Sequence, residues 1–193
     1  GDTYRQAKDF LDTGREVLFS GTPCQIAGLK SYLGNSYDHL LCVDIICHGV
    51  PSPKVWKKYV EYRESSAGVK VQDISFRSKE KGWKKFSMSF LYRDHTQYHQ
   101  TLDKDLFLQA FLKNVCLRPS CHSCAFKSLR RKSDITLGDF WGVQGIMPEL
   151  DDDKGVSLIF INSAQGQSMF DMIKENTLYR DTDINTAVGY NAA

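Results

Sequence analysis

The stretch Glu16-Val17-Leu18-Phe19-Ser20-Gly21-Thr22-Pro23-Cys24-Gln25-Ile26 decides the fold. Its first five residues form a short apolar run of core-strand length, and Thr22-Pro23 then gives a helix-start signature. Thr22 is the expected N-cap, and Pro23 occupies the first helical position, where a missing N–H costs nothing. Ile26, Leu29 and Leu33 supply the apolar stripe of the helix before Gly34 ends it. The next segment, Leu40-Leu41-Cys42-Val43-Asp44-Ile45-Ile46-Cys47, is almost continuously apolar, as a strand covered on both faces is. Ser52-Pro53 repeats the cap-then-proline pattern and opens a helix with Val55, Trp56, Tyr59, Val60 and Tyr62 on its apolar face, up to Gly68. Strand, helix, strand, helix at this spacing predicts a parallel βαβ unit, and so an α/β fold with a mainly parallel sheet and flanking helices.

Beyond Gly68 the period changes. Val71–Phe76, Phe86–Arg93 and Thr96–Gln100 alternate apolar and polar residues and are joined by short polar turns, so residues 71–100 are expected to form an antiparallel β subregion. Leu106–Leu112 has helical spacing. The segment Cys116–Lys127 has no period and is dense in Cys, Pro and Ser, and Ile135-Thr136-Leu137 resumes as a strand. Residues 116–142 therefore read as a cysteine loop and its following strand. A strand at Val156–Asn162 and a helix at Gln165–Lys174 complete the chain.

With 193 residues, 41% of them hydrophobic, the chain can bury one sizeable core, and residues 1–193 are expected to form a single catalytic-core domain. The 25 basic and 23 acidic residues nearly cancel to a net +2, which disfavours a nucleic-acid partner. No apolar run is long enough to span a membrane. Gly1 leads directly into helix-like sequence, which reads as a piece of a longer protein. On that reading an exposed apolar surface is expected along the first strand or helix.

Six cysteines carry the chemistry. Cys121 and Cys124 form C-x-x-C, a spacing that brings two sulfurs to one side of a tight turn and serves zinc, a redox dithiol or half of a cluster site. Cys24 lies in the first turn of a helix, where unpaired N–H groups and the positive dipole end suit a sulfur ligand. Cys47 closes a buried strand at the carboxyl edge, where parallel sheets build their sites, with a packed core cysteine as the plain alternative. Cys42, in mid-strand, reads as a small buried hydrophobe, and Cys116 as a reserve ligand. Cysteines used in this way, in a chain with a good core, point to a reducing compartment, the cytoplasm.

Five stretches taken together resemble one family. They are Gly21-Thr22-Pro23-Cys24-Gln25-Ile26, Cys47-His48-Gly49-Val50-Pro51-Ser52, Phe76-Arg77-Ser78-Lys79 with Gly82-Trp83, Leu117-Arg118-Pro119-Ser120-Cys121-His122-Ser123-Cys124, and Ser133-Asp134-Ile135-Thr136-Leu137-Gly138-Asp139-Phe140-Trp141-Gly142. The resemblance is to the coenzyme F-420 hydrogenase/dehydrogenase beta subunits, in the wording of the bacterial branch. It implies an iron–sulfur flavoprotein oxidoreductase in which a 4Fe-4S cluster and FAD pass electrons to a two-electron acceptor, F-420 in methanogens. It also implies Cys24, Cys47, Cys121 and Cys124 as cluster ligands.

The matching motifs nominate Arg77, Lys79 and Lys127 as flavin phosphate partners and Gly138 with Asp139 as pocket lining, the plain alternative being a solvated charged loop and a tight turn. No proton-transfer residue is nominated, so the catalytic residues stay unknown. Full-length relatives have a flavin region and a ferredoxin-like segment upstream, so the implied partner is such a segment or a separate redox protein, and the fragment alone is expected to lack FAD. The basic run Ser128–Ser133 reads as solvated surface or as a dock for a redox partner with an acidic face. The rival to the whole scheme is a non-enzymatic module stapled by zinc through the same cysteines, since four thiolates serve either centre.

Overall fold

The computed structural model describes residues 1–190. In chain order the first elements are α1 (Thr3–Asp12), β1 (Val17–Gly21), α2 (Pro23–Leu33), β2 (Leu40–Ile45) and α3 (Pro53–Ala67). The strands β3 (Val71–Ser78), β4 (Ser87–Tyr92) and β5 (Gln97–Thr101) follow, then α4 (Leu106–Leu112) and the single turn α5 (Pro119–His122). The chain continues through β6 (Ile135–Asp139), α6 (Val143–Ile146), β7 (Ser157–Ile161), α7 (Ala164–Ile173) and α8 (Ile184–Val188). The fold is mixed α/β, with one mostly parallel sheet and one antiparallel sheet. No helix of the described residues is long and apolar enough to cross a membrane. Two compact units divide the described residues: residues 1–48, 125–150 and 156–190 form the first, and residues 49–124 with 151–155 the second.

The first unit is built on a four-stranded sheet in the order β1-β2-β6-β7. β1, β2 and β6 run parallel, and β7 joins β6 antiparallel. Glu16–Ser20 and Leu40–Cys47 thus lie side by side in one sheet, as their spacing predicts. Leu40 and Cys42 point to one face, where Ala7 and Leu11 of α1 and Ile26, Leu29 and Leu33 of α2 close over them. Ile26 and Leu29 are wholly buried, each contributing about 2 kcal/mol by removal from water.

The other face of β2 is covered at Leu41, which is 8% exposed, and opens only at the strand's end. Ile45, Leu137 and Ile159 lie in register across β2, β6 and β7 and keep 46%, 38% and 41% of their surface exposed. The apolar run thus marks a strand buried on both faces over most of its length, with its cover ending at Ile45. β1 is an edge strand, and Leu18 on it is 67% exposed, so the open apolar edge expected at the first strand is there.

The second unit is an antiparallel meander, β3-β4-β5, packed by aromatic side chains. Trp56 of α3 meets Phe76 at 4.4 Å and Phe107 at 4.9 Å between ring centroids, and Tyr59 stacks on Phe107 at 5.4 Å. Offset and edge contacts of this kind add to simple area burial. Asp105 is wholly buried. It caps α4 by accepting the Leu108 N–H at 2.8 Å, and its other oxygen accepts the hydroxyls of Tyr59 and Tyr98.

Candidate metal centre

In the first unit the β1–α2 junction presents Cys24 one residue inside the helix. The Thr22 N–H donates to Gln25 Oε1 at 2.8 Å, which ties the strand end to the first turn. Thr22 Oγ1 lies 3.1 Å from Cys24 Sγ, and Cys24 is exposed. Cys47 follows the end of β2. The Ile46 N–H still donates to Leu137 O at 2.8 Å, so the ladder carries the chain to within one residue of this thiol, which is half-buried. Cys42 is a different kind of residue. It has no exposed surface, belongs to the core under α2, and burial pushes its thiol up to about 11.

In the second unit Arg118 is extended and Pro119 takes the first position of α5. The Cys121 N–H then donates to Arg118 O at 2.9 Å, so one tight turn carries Cys121 and closes just before Cys124. Both thiols are free and half-buried. The loop predicted over Cys116–Lys127 contains this turn, too short to show a helical period.

The segment after Cys47 and His48 is zipped against it. Pro51 pairs with Leu117, the Arg118 N–H donates to Val50 O at 2.9 Å, and the Ser52 N–H donates to Cys116 O at 2.8 Å. The Val50 N–H points at Cys121 Sγ, 3.4 Å away. Gly49 makes this approach possible. Its φ is +148°, and a Cβ there would lie 2.8 Å from Leu117 Cδ1 and 3.5 Å from Cys121 Cβ. Cys116, the reserve ligand, is buried, and burial raises its thiol above the usual range.

The nominated flavin contacts are distributed over both units. Arg77 lies with its guanidinium 5.6 Å from the Trp83 ring and 4.9 Å from that of Phe86, and Lys79 is exposed. In the first unit Lys127 is exposed, and Gly138 and Asp139 end β6. A Cβ on Gly138 would come within 2.5 Å of Ile46 Cδ1, so its missing side chain serves the packing of β6 beside β2. Trp83 is 3% exposed, a packing residue.

Within neither unit do three or more of the described His, Cys, Asp or Glu side chains gather as a metal site. Cys24 and Cys47 belong to the first unit, Cys121 and Cys124 to the second.

The donor set fits an iron–sulfur centre chemically. All four are cysteines, thiolates are the ligands such clusters take, and hydrogen-bonding groups lie beside two of the sulfurs, as is usual around metal-bound ligands.

Over residues 14–186 the chain matches the family of the coenzyme F420 hydrogenase/dehydrogenase beta subunit, in its C-terminal part. It belongs to that family. The F420 hydrogenase/dehydrogenase beta subunits are redox proteins, so the likeness of the five motifs is borne out over nearly the whole chain. No curated protein matches the sequence.

One feature of this beta-subunit domain was not legible in the sequence. Asp44 of β2 is wholly buried, accepts the hydroxyl of Thr136, its register partner on β6, and faces Arg131 Nη1 at 3.8 Å. Asn162 donates to Thr136 Oγ1 at 2.9 Å and to Ser133 Oγ at 3.2 Å. Asp134 holds the same strands, accepting the Cys42 N–H at 2.7 Å and the Ser163 hydroxyl at 2.8 Å. The available signal was a carboxylate inside an apolar run, since buried charges need partners.

Proposed function

We propose that the chain is the cluster-bearing part of an iron–sulfur flavoprotein oxidoreductase, with Cys24, Cys47, Cys121 and Cys124 as the ligands of a 4Fe-4S cluster. The observation that carries this reading is the zipper at Gly49. Three residues beyond Cys47, the chain is hydrogen-bonded to the segment that bears Cys121, and the Val50 N–H is aimed at the Cys121 sulfur.

A bound cluster would supply one-electron transfer, which FAD couples to a two-electron acceptor, F-420 among the candidates. The chain's own residues prepare the ligands. Pro119 fixes the turn that carries Cys121, Gly49 lets the backbone approach its sulfur, and the Val50 N–H stabilises negative charge there. Thr22 holds the first turn of α2 beneath Cys24. Arg77, Lys79 and Lys127 are proposed to meet flavin phosphates, with Asp139 beside them and Gly138 contributing backbone only. Cysteines used as cluster ligands, in a chain with a good core, suit a reducing compartment, the cytoplasm.

Anaerobic reconstitution with iron, sulfide and FAD, followed by metal, acid-labile sulfide and flavin analysis and a screen of electron acceptors, tests the proposal. Iron and sulfide in equal amounts with a brown colour are expected. A colourless protein that takes up zinc in their place overturns the redox reading in favour of a structural staple.

A further inference from the structure

The charges are distributed unevenly. From Leu106 to Ser133 there is no acid in 28 residues, while six of the chain's 25 cations fall there, so the remaining sequence has a net charge of −4 although the whole carries +2. Four of the six lie in the loop that starts at the residue after Cys124: Lys127, Arg130, Arg131 and Lys132.

The loop treats these four differently. Arg131 is turned inward, its side chain 9% exposed, and faces buried Asp44. It also donates to Phe126 O at 3.5 Å, and the Arg131 N–H donates to Leu129 O at 3.0 Å. This one residue therefore pins the loop to β2 and closes it on itself. Lys127, Arg130 and Lys132 stay exposed, and among the described residues none of them has an acidic partner. Phe126 precedes Lys127 and Leu129 lies between Lys127 and Arg130, and they are 39% and 52% exposed. Single outward apolar side chains are ordinary on a surface, but here two of them sit among cations that have no acidic partner. A protein interface uses both, since cations steer the partner in and apolar contacts hold it.

We propose that the loop Ala125–Lys132 is the docking surface for an electron-carrier protein with an acidic face. The proposal rests on the redox reading above for the carrier's identity, and on the charge pattern alone for its acidity. A polyanion such as DNA is the weaker match. It needs many phosphate contacts, whereas this patch is one short loop with apolar side chains among its cations, on a chain that is otherwise net acidic.

The test uses the full chain and, as probe, an acidic two-cluster ferredoxin, with binding followed at low salt and at about 0.3 M salt. Binding is expected to weaken steeply with salt. The triple reversal K127E/R130E/K132E is expected to weaken it at least about tenfold. The matched reversal K54E/K57E/K58E, on exposed residues of α3, is expected to leave it unchanged. Equal losses from both triples, no effect of the loop triple, or retention on duplex DNA without binding to ferredoxin overturns the proposal. All six positions are exposed, and an unchanged unfolding midpoint confirms that the variants fold. Because binding is read on protein with or without iron, a failure to incorporate a cluster leaves this result intact.

Discussion

Arg131 and Asp44 face one another inside the first unit, with 3.8 Å between Nη1 and Oδ2, and the Asp44 oxygen that faces Arg131 is buried and accepts no hydrogen bond. The pair therefore depends on charge alone for that oxygen. Arg131→Met leaves a buried carboxylate with only Thr136 as a partner and is expected to cost on the order of 3 kcal/mol. The double variant Arg131→Met/Asp44→Asn should recover much of that loss, because neither charge then remains. Denaturant unfolding of the four-member cycle measures this. A double variant no more stable than Arg131→Met alone would contradict a charge-paired interior.

Gly49 is expected to tolerate no side chain. In Gly49→Ala the added carbon meets Leu117 at 2.8 Å in a backbone conformation that L residues rarely adopt, at a cost of about 1–3 kcal/mol. Leu117→Ala on top of it relieves the collision but not the backbone strain, so only partial recovery should appear in thermal unfolding. Full tolerance of Gly49→Ala would show that the zipper to Cys116–Arg118 is loose.

Tyr59 makes the second unit alkali-sensitive. Burial, with the hydrogen bond to Asp105 second, raises its phenol well above the ordinary value of 10.0. The folded state thus favours the neutral phenol. That stabilisation is complete below pH 10 and is lost as pH rises further, when only the unfolded chain ionises. Tyr59→Phe should be less stable near neutral pH by about 1 kcal/mol, yet its stability should fall less between pH 9 and 11. Parallel stability-against-pH curves for the two proteins would rule out this role.

Much of the scaffold was legible, and the reasons differ from element to element. Thr22-Pro23 and Ser52-Pro53 gave the starts of α2 and α3 to the residue, because a proline N-terminus is fixed by local sterics. Leu106–Leu112 was read with its observed bounds. Burial of Cys42 followed from its apolar neighbours. By contrast, α5 is a single turn and leaves no periodic trace. Arg131 sits in a basic run that reads as surface, and only the register of Asp44 with Thr136 shows that its partner is buried. The exposed row at Ile45, Leu137 and Ile159 was hidden for a related reason, since a strand's sequence does not record how far along its second face the cover extends. The cysteines themselves stood out by motif, while the N–H aimed at Cys121 depends on a backbone pairing about seventy residues apart in sequence, far beyond local pattern.

The most direct measurement of the central claim is the visible absorbance of anaerobically reconstituted single-cysteine variants. The account predicts that Cys24→Ser, Cys47→Ser, Cys121→Ser and Cys124→Ser each lose most of the sulfur-to-iron charge-transfer band, whereas Cys42→Ala, in the core beneath α2, and Cys116→Ala keep it nearly intact. A band that survives any of the four substitutions, or that disappears with Cys116→Ala in a protein that still folds, would contradict this ligand set.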